Sequence, residues 1–590
     1  MKEDLDRVDS QIAESKIARQ WRLGLLSAIV LAFITSLPQI YLCYVRGSEW
    51  NGSVAYLDTD ELPYAAYTNA LIDGRPRRND PYTGKDDGPF ETLFSIQFLP
   101  AYTLALPART LSISSSTVFI LLLPLATVAA AFIMWWLLRE VTDNTPLAIV
   151  GAVGVLSLGT AAAHNPLLIL QGVVTGYDFF PFLRRYIPAL PFPIFVASSL
   201  FVWRALTRNL AWAVLAGLSF AILVYSYFFL WTAAVAWFCT IAILWFLARP
   251  EERARVGRVS GILIAMGAIA LVPYGWLLVH RANTVDSMQL LERSHAPDLF
   301  RAPELYGALL LCVLAYHVRR RLQAYDNPKI LFAASFALAP FLVFNQQILT
   351  GRSLQPFHYE EFITNYWVVL AAFLALGILR RKISKRIIIY LALGAVGTAV
   401  MLGAQAARLT SASNVRFDEV RAVALKLRRE NLVGLVFASD FQLTNSLPTT
   451  SRNPVLWARH MYTFSNVGFI EQKKRYYQHL YYSGFDESRM IRALNTDFFA
   501  RWEVFGAERA NPMLTMGHSP ITEEEIREAA KEYAAFADSY DPGLAGNPLL
   551  SYAVVLPDAN LSNLDRWYER SELERTGAFV IYRLILKPPH

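Results

Sequence analysis

Three carboxylates lie within four residues near the start of the chain, at Asp58, Asp60 and Glu61. Carboxylates this close repel one another, and the repulsion favours taking up a proton. Such a group suits a general base, and its oxygens also suit a divalent cation such as Mg²⁺ or Mn²⁺. An aspartate in front of a helix often serves only as the N-cap, and this alternative stays open for Asp60.

The residues after these carboxylates predict a short helix. Pro63 has no N–H and fits the first turn, which places the N-cap near Asp60, and Gly74 supplies a C-terminal stop. Tyr64 and Tyr67 fall on one face. We expect this helix to lie on the outer membrane surface, with its rings among the lipid headgroups.

An adjacent pair of arginines, Arg184 and Arg185, stands among aromatic residues beside an apolar run. Arginine binds phosphate through two parallel hydrogen bonds, so the pair indicates an anion held at the membrane interface. Contact with lipid headgroups, or an ion pair with Asp178, explains the same pair. If the chain binds a metal, Asp58 and Asp178 are the candidate ligands, but no cofactor is certain from the sequence.

A second polar cluster occupies residues 345–361, between two apolar runs. Polar groups at membrane depth usually mark a substrate path. Arg352 and His358 are candidates for contact with a phosphate or a sugar, and Gln355 is a candidate for contact with sugar hydroxyls. A single histidine is more often a structural hydrogen-bonding residue, and this alternative stays open for His358.

The elements that position these residues are predicted to be membrane spans. Hydrophobic residues make up 54% of the 590 residues, charged residues only 17%, and the mean hydropathy is +0.30. A span needs about 20 apolar residues. The sequence predicts about eleven spans, near 23–45, 117–138, 146–163, 189–206, 210–227, 229–248, 259–279, 304–317, 330–344, 366–379 and 387–404.

The loops between these spans predict their orientation. Lysine and arginine concentrate in alternate loops, and this excess marks the cytoplasmic side. The N-terminal tail, residues 1–22, is therefore expected in the cytoplasm. The large first loop, residues 46–116, and the region after the last span are expected outside it.

The composition changes after the membrane domain of residues 23–404. Residues 432–438, 552–556 and 579–585 are typical of buried strands. Residues 522–538 predict a helix that begins with a capping box formed by Thr522 and Glu525. We therefore expect residues 405–590 to form an extracytoplasmic α/β domain.

The first loop resembles that of the GT-C glycosyltransferases, a family of polytopic membrane enzymes. In the protein-mannosyl and aminoarabinosyl transferase branch this loop carries an Asp-Glu pair followed by a tyrosine, which Asp60, Glu61 and Tyr64 match. Pro63 stands where the aminoarabinosyl enzymes often place an arginine. The oligosaccharyltransferase signature WWDYG is absent, so the subfamily is unassigned.

The resemblance implies transfer of a sugar from a polyprenyl-phosphate or -diphosphate carrier to a glycan, lipid or protein acceptor outside the cytoplasm. It implies that Asp60 deprotonates the acceptor, with Glu61 and Asp58 beside it. Tyr64 is then grouped with the donor-binding residues. A transporter or flippase for a lipid-linked glycan and a non-catalytic envelope scaffold are the alternatives. Nucleic acid is excluded as a partner because the basic residues lie in short clusters between apolar runs.

Overall fold

The computed structural model describes residues 2–163, 180–282, 285–286, 289, 291–380, 382–464, 467–510 and 520–588, with side chains described from residue 18 onward. The chain forms two compact units. The span-rich unit comprises Met1–Tyr41, Ile120–Gly275 and Ser294–Ser411. The sheet-bearing unit comprises Leu42–Phe119, Trp276–Arg293 and Ala412–His590.

Helices dominate the part of the chain that the structure describes, and only the helices within it are numbered. The first seventeen are α1 (Lys2–Thr35), α2 (Leu37–Arg46), α3 (Glu61–Ile72), α4 (Leu93–Ile96), α5 (Leu99–Thr110), α6 (Ser115–Thr142), α7 (Thr145–Ala161), α8 (Pro191–Thr207), α9 (Ala211–Val224), α10 (Phe228–Ala248), α11 (Arg253–Val279), α12 (Ala302–Arg319), α13 (Pro328–Asn345), α14 (Gln347–Thr350), α15 (Pro356–Tyr359), α16 (Asn365–Leu379) and α17 (Lys385–Leu409). A π-helical turn, Glu360–Thr364, joins α15 to α16.

The helices after α17 range from four to nineteen residues in length. They are α18 (Ser411–Arg429), α19 (Phe441–Ser446), α20 (Phe469–Tyr482), α21 (Glu487–Thr496), α22 (Phe498–Phe505), α23 (Ala507–Ala510), α24 (Glu523–Asp538), α25 (Pro542–Ala545) and α26 (Ser562–Trp567). The strands are β1 (Leu291–Glu292), β2 (Ser353–Leu354), β3 (Val436–Ala438), β4 (Tyr552–Val555), β5 (Tyr568–Thr576) and β6 (Phe579–Leu586).

The first predicted span covers the helices α1 and α2, and each of the others coincides with a single helix, which confirms a polytopic helical membrane protein. In the described part of the chain, six helical segments are long and apolar enough to cross a membrane. The pair α1 and α2, bent by 44°, makes a seventh if it is counted as one span. The helices α7, α8 and α9 are apolar but shorter. The bend falls where Pro38 enters the first turn of α2, because proline cannot donate the backbone hydrogen bond that would continue α1.

The long apolar stretch between residues 210 and 248 is split in two, as its sequence predicts. The first helix, α9, ends at Val224 and the second, α10, begins at Phe228. The backbone N–H groups of Ser226 and Tyr227 both donate to the carbonyl of Leu223, which closes a tight turn.

A four-stranded sheet in the sheet-bearing unit confirms the predicted C-terminal α/β domain. The strand order is β3-β4-β6-β5, with β3 parallel to β4 and the other pairs antiparallel. The capping box at the start of α24 is present as predicted. The strand β5 is the strand of this sheet that the sequence did not predict. Its residues are mostly exposed and charged, so it carries no run of apolar residues.

A helix, α3, follows Asp60 as predicted, but most of its residues are buried in the protein and do not lie on a surface. Ten of the twelve residues of α3 are buried. Tyr67 is fully buried, and its hydroxyl donates to the carbonyl of Arg77 at 2.7 Å. The Asn69 amide donates to the carbonyls of Pro448 and Ser451. Thus α3 is part of the core of its unit, because both its apolar rings and its polar groups find partners there.

Candidate functional site

Asp60 occupies the N-cap position of α3 without acting as a side-chain cap. Its backbone is helical, with φ −62° and ψ −18°, and its carboxylate accepts no capping hydrogen bond. The backbone N–H of Asp60 donates to the Asp58 carboxylate at 3.2 Å. The Asp60 side chain is 49% exposed. The Asp60 side chain therefore does not cap α3, in contrast to the alternative considered from the sequence. The Asp60 carboxylate reaches solvent.

Glu61, the next residue, has the opposite environment. Its side chain is fully buried, and its carboxylate accepts the backbone N–H of Leu57 at 2.8 Å. A buried carboxylate needs such a donor, because an unpaired charge away from water is very unfavourable. This arrangement suits a role in holding the loop between residues 57 and 61.

A histidine from the C-terminal part of the same unit lies against these carboxylates. The Nε2 atom of His460 is 3.8 Å from Oδ1 of Asp60, and the His460 side chain is 3% exposed. The Asn445 side chain fixes the position of His460 by accepting its backbone N–H at 3.2 Å. The distance of 3.8 Å is longer than a direct hydrogen bond. A small rotation or a bridging water would connect the two groups.

Burial determines the charge of this histidine. Burial lowers the pKa of His460 to about 4, although the nearby Asp58 carboxylate opposes the shift. The imidazole is therefore neutral near pH 7 and carries one N–H. Its Nδ1 atom is buried and has no hydrogen-bond partner among the described residues. Since only Nε2 faces a carboxylate, the tautomer with hydrogen on Nε2 suits this site.

Two tyrosines border the acidic start of α3. The partly buried Tyr64 packs its ring edge-on against Phe94, with centroids 5.5 Å apart. Tyr462 follows two residues after His460. Burial raises the pKa of Tyr462, and the nearby carboxylates of Asp60 and Glu503 raise it further. The Tyr462 hydroxyl therefore keeps its proton near neutral pH and is a hydrogen-bond donor.

In the span-rich unit, Arg184 belongs to a cluster rich in aromatic rings. Its Nε donates to the carbonyl of Ile187 at 3.1 Å, and its Nη2 donates to the hydroxyl of Tyr227 at 3.3 Å. The guanidinium carbon lies 4.9 Å from the centre of the Phe362 ring. A cation above a ring face is stabilised by the charge distribution of the ring. We call Arg184, Tyr227, Phe229, His358 and Phe362 the Arg184 cluster.

His358 joins this cluster through ring contacts. Its ring centre is 4.7 Å from that of Phe229 and 5.2 Å from that of Phe362. The structure thus brings Arg184 and His358 to the same phenylalanine, Phe362, although they are 174 residues apart in the chain. The Nδ1 atom of His358 is buried without a hydrogen-bond partner in the part of the chain that the structure describes.

The other predicted site residues of this unit have mixed environments. Arg184 and Arg185 are buried, at 3% and 0% exposure, whereas we expected them at the membrane interface. Arg352 is exposed, and its carbonyl accepts the Gln346 amide at 2.8 Å. Gln355 begins α15 with a left-handed backbone, at φ +34°. Asp178 lies outside the described residues.

The metal alternative has no support in the described part of the chain. No group of three or more histidine, cysteine, aspartate or glutamate side chains there has a geometry that could hold a metal ion. The acidic start of α3 provides Asp58 and Asp60, but Glu61 points its carboxylate at the backbone. Among the described residues, this segment alone does not make up a metal site.

The sequence did not point to His460 or Tyr462. They stand 400 residues after Asp60, in a segment with neither an apolar period nor a recognisable motif. The one available signal was composition, since Arg459, His460 and Tyr462 form a short polar and aromatic group. Only the tertiary fold brings that group to the start of α3.

Comparison with known proteins gives remote structural similarities. No protein-family model and no curated protein sequence matches the chain. The structure is similar to that of ArnT from Cupriavidus metallidurans bound to undecaprenyl phosphate, with a TM-score of 0.40 and 11% identity over 93% of this chain and 97% of that one.

Two further similarities are to an oligosaccharyltransferase from Archaeoglobus fulgidus. The apo structure gives a TM-score of 0.45 and 12% identity over 94% of this chain and 74% of that one. The same enzyme, AglB, in complex with an inhibitory peptide and a dolichol-phosphate gives a TM-score of 0.44 with the same identity and coverage. With 11–12% identity and TM-scores below 0.5, these remote similarities do not assign this chain to a subfamily.

Proposed function

We propose that this protein transfers a sugar from a polyprenyl-phosphate or -diphosphate carrier to an acceptor hydroxyl or amide on the extracytoplasmic side of the membrane. The observation that carries the proposal is Asp60, a half-exposed carboxylate beside the buried, neutral His460. The motif of Asp60, Glu61 and Tyr64, shared with GT-C enzymes, supports the same reaction. The ArnT and AglB structures hold undecaprenyl phosphate and dolichol-phosphate, respectively.

In this reaction, the acceptor oxygen or nitrogen attacks the anomeric carbon of the sugar. The bond from that carbon to the carrier phosphate breaks, and the phosphate leaves with the electron pair. The acceptor proton passes to the Asp60 carboxylate, which must be accessible and ionised to receive it. His460 positions Asp60 by directing its Nε2 side toward Oδ1.

The leaving phosphate gains negative charge, which positive groups must stabilise. We assign this role to Arg184 and Arg352, since guanidinium groups suit phosphate oxygens. Gln355 and His358 are the proposed contacts for the sugar, and Tyr64 is proposed as a further donor-binding residue. Glu61 is assigned to the structure of the loop, because its carboxylate is buried on the Leu57 N–H.

A transfer assay with a panel of radiolabelled polyprenyl-phosphate sugars tests the proposal. Asp60→Asn is expected to lower the turnover rate about 100-fold or more, in line with loss of a catalytic base, with normal elution in size-exclusion chromatography. Asp86→Asn is the matched control, since Asp86 belongs to the same unit and its side chain is 48% exposed. Near-normal turnover by Asp60→Asn would reject Asp60 as the base.

The role of His460 as a positioning residue has its own readout. His460→Gln keeps an N–H donor and is expected to retain part of the activity, whereas His460→Leu, which has no donor, is expected to lose nearly all of it. The effect should fall on kcat and leave KM for the donor almost unchanged. Equal loss in both variants, or a loss confined to KM, would contradict positioning through the N–H group.

A further inference from the structure

An apolar groove opens on the side of the span-rich unit. Its volume is about 380 Å³, and its walls come from α8, α9, α10 and α11. Gly267, Ala268 and Ala242 are among the small residues that line it, and Ser260 and Cys239 are the polar ones. None of its lining residues belongs to the Arg184 cluster. The groove therefore differs from the site proposed for sugar transfer.

The surroundings of the groove indicate that it opens toward lipid. Two of its walls, α10 and α11, belong to segments long and apolar enough to cross a membrane. Ile264, which lines the groove, is 71% exposed, and Cys239 is exposed as well. Large exposed apolar surfaces on a span contact the hydrocarbon of the bilayer. An acyl chain is therefore the neighbour with the right chemistry and shape for this concave surface.

Positive charge lies at one end of the groove. Val256 and Val259 line that end, and Arg255 and Arg258 stand directly before them on α11. The Arg255 Nε donates to the carbonyl of Ala205 at 2.9 Å, which directs its guanidinium toward α8. Arg258 is exposed one helical turn further on. This end belongs to the arginine-rich turns that the sequence assigns to the cytoplasmic side.

We propose that the groove binds one anionic phospholipid. One acyl chain fills the apolar part between α8, α10 and α11, and the headgroup phosphate meets Arg255 and Arg258. Basic residues near a membrane surface attract anionic lipids by about 1 kcal/mol each, which corresponds to roughly fivefold in affinity per residue. Charge complementarity therefore selects an anionic headgroup over a zwitterionic one.

Photocrosslinking in nanodiscs tests this site. The probes are phosphatidylglycerol and phosphatidylcholine that carry a diazirine in one acyl chain, and the crosslinked peptides are identified by mass spectrometry. The expected peptides come from α10 and α11, with phosphatidylglycerol favoured over phosphatidylcholine. Arg255→Gln with Arg258→Gln should reduce that preference by roughly tenfold or more. The control Arg253→Gln should reduce it far less, because the Arg253 Nε donates to the carbonyl of Phe246, which does not line the groove.

Substitutions that fill the groove with a large side chain provide a second test of lipid binding. Ala268→Trp is expected to reduce crosslinking at least fivefold, and Ile269→Trp, at a 75% exposed neighbour outside the groove, is the matched control. If Ala268→Trp does not fold, Ala242→Phe replaces it on the facing wall. Thiol labelling of Cys239, with the exposed Cys312 as reference, should be slowed by phosphatidylglycerol.

Three results would overturn the proposal. They are equal crosslinking of both lipids, unchanged crosslinking in the blocked variants, and displacement of the phospholipid by polyprenyl phosphate or by a second copy of the chain. Because none of these readouts uses sugar transfer, they stay separate from the tests of Asp60.

Discussion

The acidic start of α3 and the Arg184 cluster organise charge in opposite ways. At the start of α3, neighbouring carboxylates diverge: Glu61 turns into the core to hold the Leu57 N–H, and Asp60 stays half exposed. In the Arg184 cluster, side chains from distant segments converge on Phe362, and the cation is buried against rings. Charged residues close together in the sequence thus marked both regions as candidate sites. They did not indicate which side chains would be exposed.

The difference has a physical basis. A carboxylate accepts hydrogen bonds from nearby backbone N–H groups, as Glu61 does from Leu57, so adjacent acidic residues can take different environments over a single helical turn. A guanidinium has five donors and a flat, weakly hydrated face, so it can be buried when carbonyls, hydroxyls and rings surround it. The acidic region therefore keeps an exposed carboxylate, and the Arg184 cluster holds a buried cation against an aromatic ring.

The largest expected effect comes from the Arg184 cluster. Arg184→Ala removes hydrogen bonds from a buried cation to the Ile187 carbonyl and the Tyr227 hydroxyl. We expect a loss of about 1.5–3 kcal/mol in the free energy of unfolding, together with almost complete loss of transfer. Fluorescence-detected size-exclusion chromatography after heating measures the loss of stability. The transfer assay with polyprenyl-phosphate sugars measures the loss of activity.

Arg184→Lys separates charge from shape in the same cluster. Lysine keeps the positive charge but loses the planar contact with Phe362, and its single nitrogen replaces the two nitrogens through which Arg184 donates. Stability is expected to recover partly, and transfer is expected to stay low. A variant with full transfer would show that the guanidinium geometry of Arg184 is not needed.

A smaller effect is expected at Glu61. Glu61→Ala leaves the buried Leu57 N–H without an acceptor and should lower the stability of the protein by about 1–3 kcal/mol. Transfer per folded molecule should change little, because Asp60 carries the proposed chemistry. Thermal unfolding and the transfer assay on the same preparation test this contrast, with Glu61→Gln as the control that retains an acceptor oxygen. Complete inactivity of a well-folded Glu61→Gln protein would move the base from Asp60 to Glu61.

The smallest effect on folding is expected at the exposed Arg352. Arg352→Ala should leave thermal stability unchanged within about 0.5 kcal/mol. It should raise KM for the lipid-linked donor, because the proposed phosphate contact is lost. Arg352→Lys should recover only part of that loss. It keeps the positive charge, but an ammonium group lacks the two parallel donors of a guanidinium. Full recovery with lysine would contradict a bidentate phosphate contact at Arg352.

Much of the architecture followed from the sequence. Apolar runs predicted the spans, including the division of residues 210–248 into the helices α9 and α10. Thr522 with Glu525 predicted the start of α24. These features depend on residues that are close in the chain, so their patterns can be read directly. The strand β5 escaped prediction because its mostly exposed, charged residues depend on pairing with β6.

The candidate site was predicted only in part. The acidic residues 58–61 drew attention by their density, and α3 begins where Pro63 and Asp60 indicated. The burial of Tyr67, which was expected among lipid headgroups, depends on partners such as Phe94 and Phe464. A single helix sequence cannot distinguish lipid headgroups from a protein core, because both accept aromatic rings.

The sequence alone therefore determined where the spans run, where α3 starts and which segments are rich in charge. The tertiary structure decided that Glu61 is buried while Asp60 is half exposed, that His460 lies beside Asp60, and that Arg184 and His358 share Phe362. The physical reason is range: helix formation and hydropathy act over a few residues, whereas burial and side-chain pairing join segments hundreds of residues apart.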